Sequence, residues 1–259
     1  MLLTVDIGNT NITVGVFNGK KLLTTFRMTT IQTRTSDEYG MVMCELLEHN
    51  QVEVSSITDV IVASVVPNVM HSLTSAIIKY FHTKPIVIES GIRTGIRVAS
   101  KNPRQVGADR IVDAAAAYEL YGGPAIVVDY GTATTYDLVD ADGTFTACVI
   151  APGIRTSAQA LWSMAAKLPE IEIKKPKSIL AQETIACMQA GLVYGQIGQT
   201  EYIIRQMKKE FGRDDVKVIA TGGLGRIIEK ETDAIDIYDP MLTLKGMRLI
   251  FERQKKQDK

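Results

Sequence analysis

The sequence predicts an α/β fold built twice, and three observations carry that expectation. Segments rich in β-branched residues alternate with segments of helical length, the arrangement of layered α/β proteins. An apolar strand ending in Asp-x-Gly opens the chain (Val5-Asp6-Ile7-Gly8), and a second opens its latter half (Val128-Asp129-Tyr130-Gly131). Each is followed by a strand, a short glycine-containing turn and another strand. A recurrence at half the chain length points to a duplicated domain; solenoid repeats have periods of about 20–50 residues. The expected halves are residues 1–121 and 122–259.

The elements follow in order. Residues 2–6, 12–17 and 22–28 read as strands, with Asn18-Gly19 as the hairpin signal between the second and third. Thr35-Ser36-Asp37-Glu38 has the spacing of a capping box and opens a helix through about His49. The continuous β-branched run at 60–66 suits a strand buried on both faces, stopped by Pro67. A helix to about Phe81, a strand at 86–88 and an alanine-rich helix from Gly107 to Tyr121 complete the first half. In the second half, strands are expected at 125–129, through Val139 and through Ala151, then a helix over 156–167. A charged, proline-punctuated loop at 169–178 leads to a long helix over 184–211. A strand at 216–220 breaks into Thr221-Gly222-Gly223 before another helix, and a short strand at 235–238 precedes a last helix over 240–253.

Composition narrows the classes of function. The chain has 259 residues, 46% hydrophobic and 22% charged, enough for a sizeable core, and Lys+Arg balance Asp+Glu at a formal net charge of zero. That balance offers no basic surplus for nucleic acid or an anionic membrane. No run approaches the roughly 18 apolar residues of a membrane helix, and Asp6 interrupts the apolar start before it can serve as a secretory segment. Cys44, Cys148 and Cys187 are scattered without metal or disulfide spacing, which suits a reducing cytoplasm. His49, His71 and His82 also lack ligand spacing.

The two Asp-x-Gly turns and the later T-G-G turn point to one chemistry when taken together. Backbone N–H groups in a glycine turn can approach an anion, and Thr or Asn side chains add donors. The bare backbone of Gly222 and Gly223 lets a flat adenosine lie close. Asp6 and Asp129 are oxygen ligands suited to hard cations that neutralise phosphates. The expectation is a nucleotide held between the halves, by the 6–13 loop and its counterpart. Each piece also has an ordinary role, since Asp-x-Gly occurs in plain hairpins and T-G-G in helix-start turns.

The whole chain resembles the type III pantothenate kinases, within the actin, sugar-kinase and heat-shock-chaperone superfamily. The resemblance rests on D-I-G-N-T-N at 6–11, D-E-Y-G at 37–40, S-V-V-P at 64–67 and N-P-R-Q-V-G-A-D-R at 102–110. It continues through D-Y-G-T-A-T-T at 129–135, A-P-G-I at 151–154, A-A-K-L-P at 165–169 and A-T-G-G-L at 220–224. It implies duplicated actin-like (ribonuclease H-like) domains and ATP-dependent phosphorylation of pantothenate, the first step of coenzyme A synthesis. It further implies that Asp6, Ile7, Gly8, Asn9, Thr10, Asn11, Ile12, Thr13 and Thr132 bind ATP. Gly107, Ala108, Asp109 and Arg110 would hold pantothenate with Thr184 and Ser100, and Asp109 would accept the hydroxyl proton. Asp129 would hold potassium or ammonium, magnesium would accompany the nucleotide near Asp6, and the protein would be a homodimer.

Several of these residues have plainer alternatives. Asp109 at a helix start could be an N-terminal cap, Thr184 likewise, and Arg110 a surface ion pair. The long helix carries more apolar residues (Met188, Leu192, Val193, Ile197) than one face needs, which marks either an interface or a buried helix. The chain also departs from the family pattern: Ala147-Cys148 stand where Gly-Gly is usual, Ser100 where an aromatic is usual, and Gln159 where Glu is usual. These departures leave two other readings open, a nucleotide-sensing protein without turnover and a kinase for another small hydroxyl compound.

Overall fold

The computed structural model describes residues 1–89 and 91–256. The chain forms two compact units, Met1–Glu119 with Leu242–Lys259, and Leu120–Met241.

In the first unit, β1 (Leu2–Ile7), β2 (Asn11–Asn18) and β3 (Lys21–Thr29) form an antiparallel meander. The β2–β3 turn places its positive φ of 57° on Gly19, the first of two loop residues, because Asn18 already pairs with Lys21. The turn is therefore Gly19-Lys20, one residue later than the Asn-Gly signal suggests. Strand β4 (Asp59–Ser64) runs parallel to β1, and β5 (Ile86–Val87) parallel to β4, giving the sheet order β3-β2-β1-β4-β5. Helix α1 (Ser36–His49) carries the expected capping box. The Thr35 hydroxyl accepts from the Glu38 N–H at 3.3 Å, and Glu38 accepts from the Thr35 N–H at 2.7 Å. Helix α2 (Pro67–Phe81) starts on the proline that ends the β4 region, where a missing N–H costs no helical hydrogen bond. Their apolar faces, including Met43, Leu47, Leu73 and Ile77, pack with Leu3, Val5, Val14 and Val62 of the sheet into one core. A short strand β6 (Arg97–Val98), absent from the sequence expectation, precedes α3 (Ala108–Tyr121).

The second unit repeats the plan. Strands β7 (Ala125–Tyr130), β8 (Ala133–Val139) and β9 (Thr144–Pro152) form an antiparallel meander, and α4 (Ile154–Met164) follows. After the long loop come α5 (Thr184–Phe211), β10 (Lys217–Thr221) parallel to β7, α6 (Gly225–Glu229) and β11 (Ile237–Tyr238) parallel to β10. Neighbours within this unit run β11-β10-β7-β8-β9, which is the first sheet's order over again.

Two expectations change. The last helix, α7 (Leu242–Lys255), belongs with the first unit and not with 122–259: it packs on β1, β2 and β4. Its Leu242, Leu244, Met247 and Ile250 are all buried, so that sheet supplies the apolar cover that the helix requires. The apolar surplus of α5 is also internal. Met188, Leu192, Val193 and Ile197 are buried in the second unit's own core and so offer nothing to an interface.

Candidate active site

Strand β1 delivers Asp6 and Ile7 to the sheet edge, where Asp6 lies opposite Thr13 of β2 and beside Ala63 of β4. The turn from Gly8 to Asn11 is closed by the Gly8 N–H donating to the Asn11 carbonyl at 3.0 Å. Asn9, Thr10 and Asn11 are exposed, while Ile12 is buried beneath them. This polar turn over an apolar base has the form expected of an anion-binding loop.

Thr30, just past β3, holds this loop from outside. Its hydroxyl donates to the Gly8 carbonyl at 2.7 Å and its N–H donates to the Thr10 carbonyl at 3.0 Å. The segment behind it is anchored in turn, as the buried Tyr39 donates its hydroxyl to the Ile31 carbonyl at 2.6 Å. Nothing in the sequence pattern singles out Thr30, because the contact depends on β-strand register.

The S-V-V-P turn links the loop to the start of α3. The Val65 N–H donates to the Ile7 carbonyl at 3.1 Å, while a side chain on Gly107 would come within 3.3 Å of the Val65 side chain. Residues 6–11 and 107–110, distant in sequence, are thereby joined through one residue. Gly107 takes the cap position of α3, its carbonyl accepting from Ile111 at 3.2 Å. Asp109 is inside the helix and is no cap. Its carboxylate folds back over Gly107, accepting from the Arg110 N–H at 2.8 Å. Burial pushes its pKa up, against the opposing pull of that N–H and of the Arg110 charge. Ser100 lies in the preceding loop, where its hydroxyl accepts from the Asn102 N–H at 3.3 Å.

The second unit's turn is one residue tighter, with the Gly131 N–H donating to the Ala133 carbonyl at 3.0 Å. Asp129 pairs in register with Thr135 on β8 and with Thr221 on β10, repeating the environment of Asp6. Gly222 has φ +92°, and a Cβ there would come within 2.6 Å of both an Asp129 carboxylate oxygen and the Tyr130 carbonyl. The T-G-G turn therefore packs directly on the Asp-x-Gly turn, a contact open only to glycine. Gly153 of A-P-G-I is held as closely: its N–H donates to the Thr132 carbonyl at 3.1 Å, and a Cβ would come within 2.5 Å of that oxygen. The Thr156 hydroxyl donates to the same carbonyl at 2.6 Å.

Thr132 and Gly223 are exposed. Thr184 is the first residue of α5 and is exposed, while Glu183 holds the cap position without a side-chain cap bond. Ala147 and Cys148 lie on β9 with their side chains exposed, and Gln159 is exposed on α4.

The donor chemistry fits the two implied cations differently. Asp129 supplies carboxylate oxygens, and the buried hydroxyl of Thr135, its register partner on β8, has no hydrogen-bond partner. Such a set suits a hard monovalent cation. Among the described residues no group of three or more His, Cys, Asp or Glu could hold a metal ion. Asp6 therefore fits magnesium that arrives with phosphates and keeps its waters, rather than a protein cage.

Two repeats of one α/β plan, each opening on an Asp-x-Gly turn, define the actin-like fold shared with sugar kinases. A crystal structure of a Sinorhizobium meliloti protein regarded as a 2-dehydro-3-deoxygalactonokinase matches 98% of this chain and 96% of its own, at a TM-score of 0.62 and 13% identity. A Campylobacter jejuni protein thought to be a Baf family transcriptional activator matches 98% and 99%, at a TM-score of 0.59 and 20% identity. Both likenesses concern the fold. The model of the type III pantothenate kinase family matches residues 2–206. A type III pantothenate kinase of Agathobacter rectalis is 63% identical over 257 residues, 99% of each chain. The chain belongs to the type III pantothenate kinases, a family of phosphotransferases with an alcohol group as acceptor, and its reaction is the phosphorylation of pantothenate for coenzyme A synthesis.

Proposed function

We propose that the reaction runs on the residues assembled here, with Asp109 as the proton acceptor. ATP-binding roles fall to the 6–13 loop in the first unit and to Thr132, Gly222 and Gly223 in the second. The observation that carries this reading is the bridge through Val65, which couples the phosphate loop to the start of α3. In the step itself, the primary hydroxyl oxygen of pantothenate attacks the γ-phosphorus of ATP. Its proton passes to the Asp109 carboxylate, and ADP leaves with the electrons of the broken P–O bond. Phosphoryl transfer is mainly positioning and charge stabilisation, so one oriented acceptor suffices. The raised pKa of Asp109 suits it for the task, since a base works best when its pKa approaches the working pH.

Arg110 is proposed to meet the pantothenate carboxylate, for which a guanidinium fork is well shaped. Thr184 and Ser100 are assigned to the same substrate on the family resemblance. Magnesium near Asp6 and potassium or ammonium at Asp129 would screen the phosphate charge when bound.

A homodimer is also proposed, on new grounds. Leu161, Met164, Ile179, Leu180 and Ile185 are exposed within one stretch of the second unit, and Met164 and Leu180 are 86% and 84% exposed. A contiguous apolar patch marks an interaction surface, and these side chains are proposed to form one against a second copy.

The reaction is tested by following ADP formation with pantothenate and with a panel of other small primary alcohols. Turnover strictly dependent on pantothenate is expected. ATP hydrolysis indifferent to the acceptor would overturn the assignment.

A further inference from the structure

The two contacts from Thr30 do more than tether a loop. A trans peptide holds its C=O and N–H antiparallel, so fixing a carbonyl also fixes the N–H of the next residue. The Thr30 hydroxyl fixes the Gly8 carbonyl, which turns the Asn9 N–H away from Thr30. The Thr30 N–H fixes the Thr10 carbonyl, which turns the Asn11 N–H the same way. The Thr10–Asn11 peptide is secured further by register. Asn11 and Thr29 form a pair whose bonds to β3 are made by neighbouring residues, so the Asn11 N–H is not spent on that strand. Two carbonyls that would repel phosphate oxygens thus face the Thr30 side, and two N–H donors face the opposite side.

The second repeat holds the counterpart of the Thr10 carbonyl, that of Thr132, the residue before its turn-closing Ala133. The Thr156 hydroxyl, from the first turn of α4, donates to the Thr132 carbonyl and so turns the Ala133 N–H outward. The two threonines come from different elements, one following a strand and the other within a helix. Their hydroxyls hold different peptides of the two turns, Gly8–Asn9 in one and Thr132–Ala133 in the other.

We propose that Thr30 is a positioning residue for phosphoryl transfer, holding the Gly8–Asn9 peptide in the one orientation that presents its N–H to the nucleotide phosphates. The inference rests on the reading that the 6–13 loop binds ATP. Without the hydroxyl, the Gly8–Asn9 peptide can rotate and place its carbonyl toward the phosphates. Pre-organisation of this kind acts on the nucleotide and leaves the acceptor substrate untouched.

The experiment compares Thr30→Val, Thr30→Ser and Gly8→Val with wild type. It uses steady-state kinetics in both substrates, calorimetric binding of a non-hydrolysable ATP analogue, and melting curves. Thr30→Val, nearly isosteric but without the donor, should raise the KM for ATP and the analogue Kd about five- to tenfold, the effect of one hydrogen bond. The KM for pantothenate should stay within about twofold, and Thr30→Ser should restore wild-type values. If Thr30→Val disturbs folding, Thr30→Ala makes the same comparison. Unchanged ATP affinity in a folded Thr30→Val or Thr30→Ala variant overturns the proposal, as does a parallel change in both KM values. Gly8→Val separates the two levels: its loss of analogue binding upholds the loop as the ATP site even where Thr30 fails, whereas retained binding removes the loop reading itself.

Discussion

Asp109 is where the two roles open to the sequence diverge most sharply. A cap and a general base both favour Asp at a helix start, but the structure gives the cap to Gly107 and leaves Asp109 half-buried within the first turn. Asp109→Asn should lower kcat by about 10²–10⁴, the usual loss for a missing general base. Linkage fixes the direction of the stability change. Burial raises the folded-state pKa above the unfolded one, so the carboxylate costs stability at neutral pH, and that cost fades as pH falls through the raised pKa. Removing the charge should leave the melting temperature equal to or above that of wild type at pH 7. Activity of the native enzyme should fall on acidification at a higher pH than for an ordinary carboxylate, and the pH profile of kcat/KM tests this. A residue of more than about a tenth of wild-type kcat in a well-folded Asp109→Asn variant would return the residue to a structural role.

At the level of elements, the loops are set by backbone contact, and glycine is the residue that permits it. Gly153 joins β9 to α4 while lying against the Thr132 carbonyl. Gly153→Ala should force that loop aside at a cost of about 1–3 kcal/mol, the usual penalty of overpacking, with a higher KM for ATP. Melting and kinetics together check it. Strand β9 carries a second test. Cys148 and Cys187 are exposed, whereas Cys44 is half-buried on α1 with its thiol pKa pushed up by burial and by Glu48. Mass spectrometry after brief alkylation of the folded protein should show two labelled cysteines, with Cys44 reacting only on unfolding. Ala147-Cys148 replace glycines on an exposed stretch of strand, so alkylation at Cys148 also reports whether a ligand approaches there.

For the whole molecule, association and ion dependence are the properties to measure. The exposed Met164 and Leu180 lead to the expectation of a dimer by light scattering at micromolar concentration, and Met164→Lys with Leu180→Lys should shift it to monomer. The Asp129 carboxylate and the unpartnered Thr135 hydroxyl paired with it lead to the expectation of faster turnover in potassium or ammonium than in sodium, and Asp129→Asn should flatten that difference. Equal rates in all three salts would remove the monovalent ion from the mechanism.

The sequence by itself determined the duplication, the order of elements and the Asp-x-Gly and T-G-G turns, because strand periodicity, capping residues and glycines are local signals. The capping box at Thr35 and the long helix α5 could be read directly from the residues. Full-length family motifs added the substrate. Tertiary structure alone decided what depends on register and on burial by distant segments. It returned α7 to the first sheet, placed Met188, Leu192, Val193 and Ile197 of α5 in a core, and left Leu161, Met164, Ile179, Leu180 and Ile185 exposed. It also set Thr30 against a loop some twenty positions earlier. A hydrogen bond between residues that share no local pattern exists only once the strands between them have paired, and no window along the chain records it.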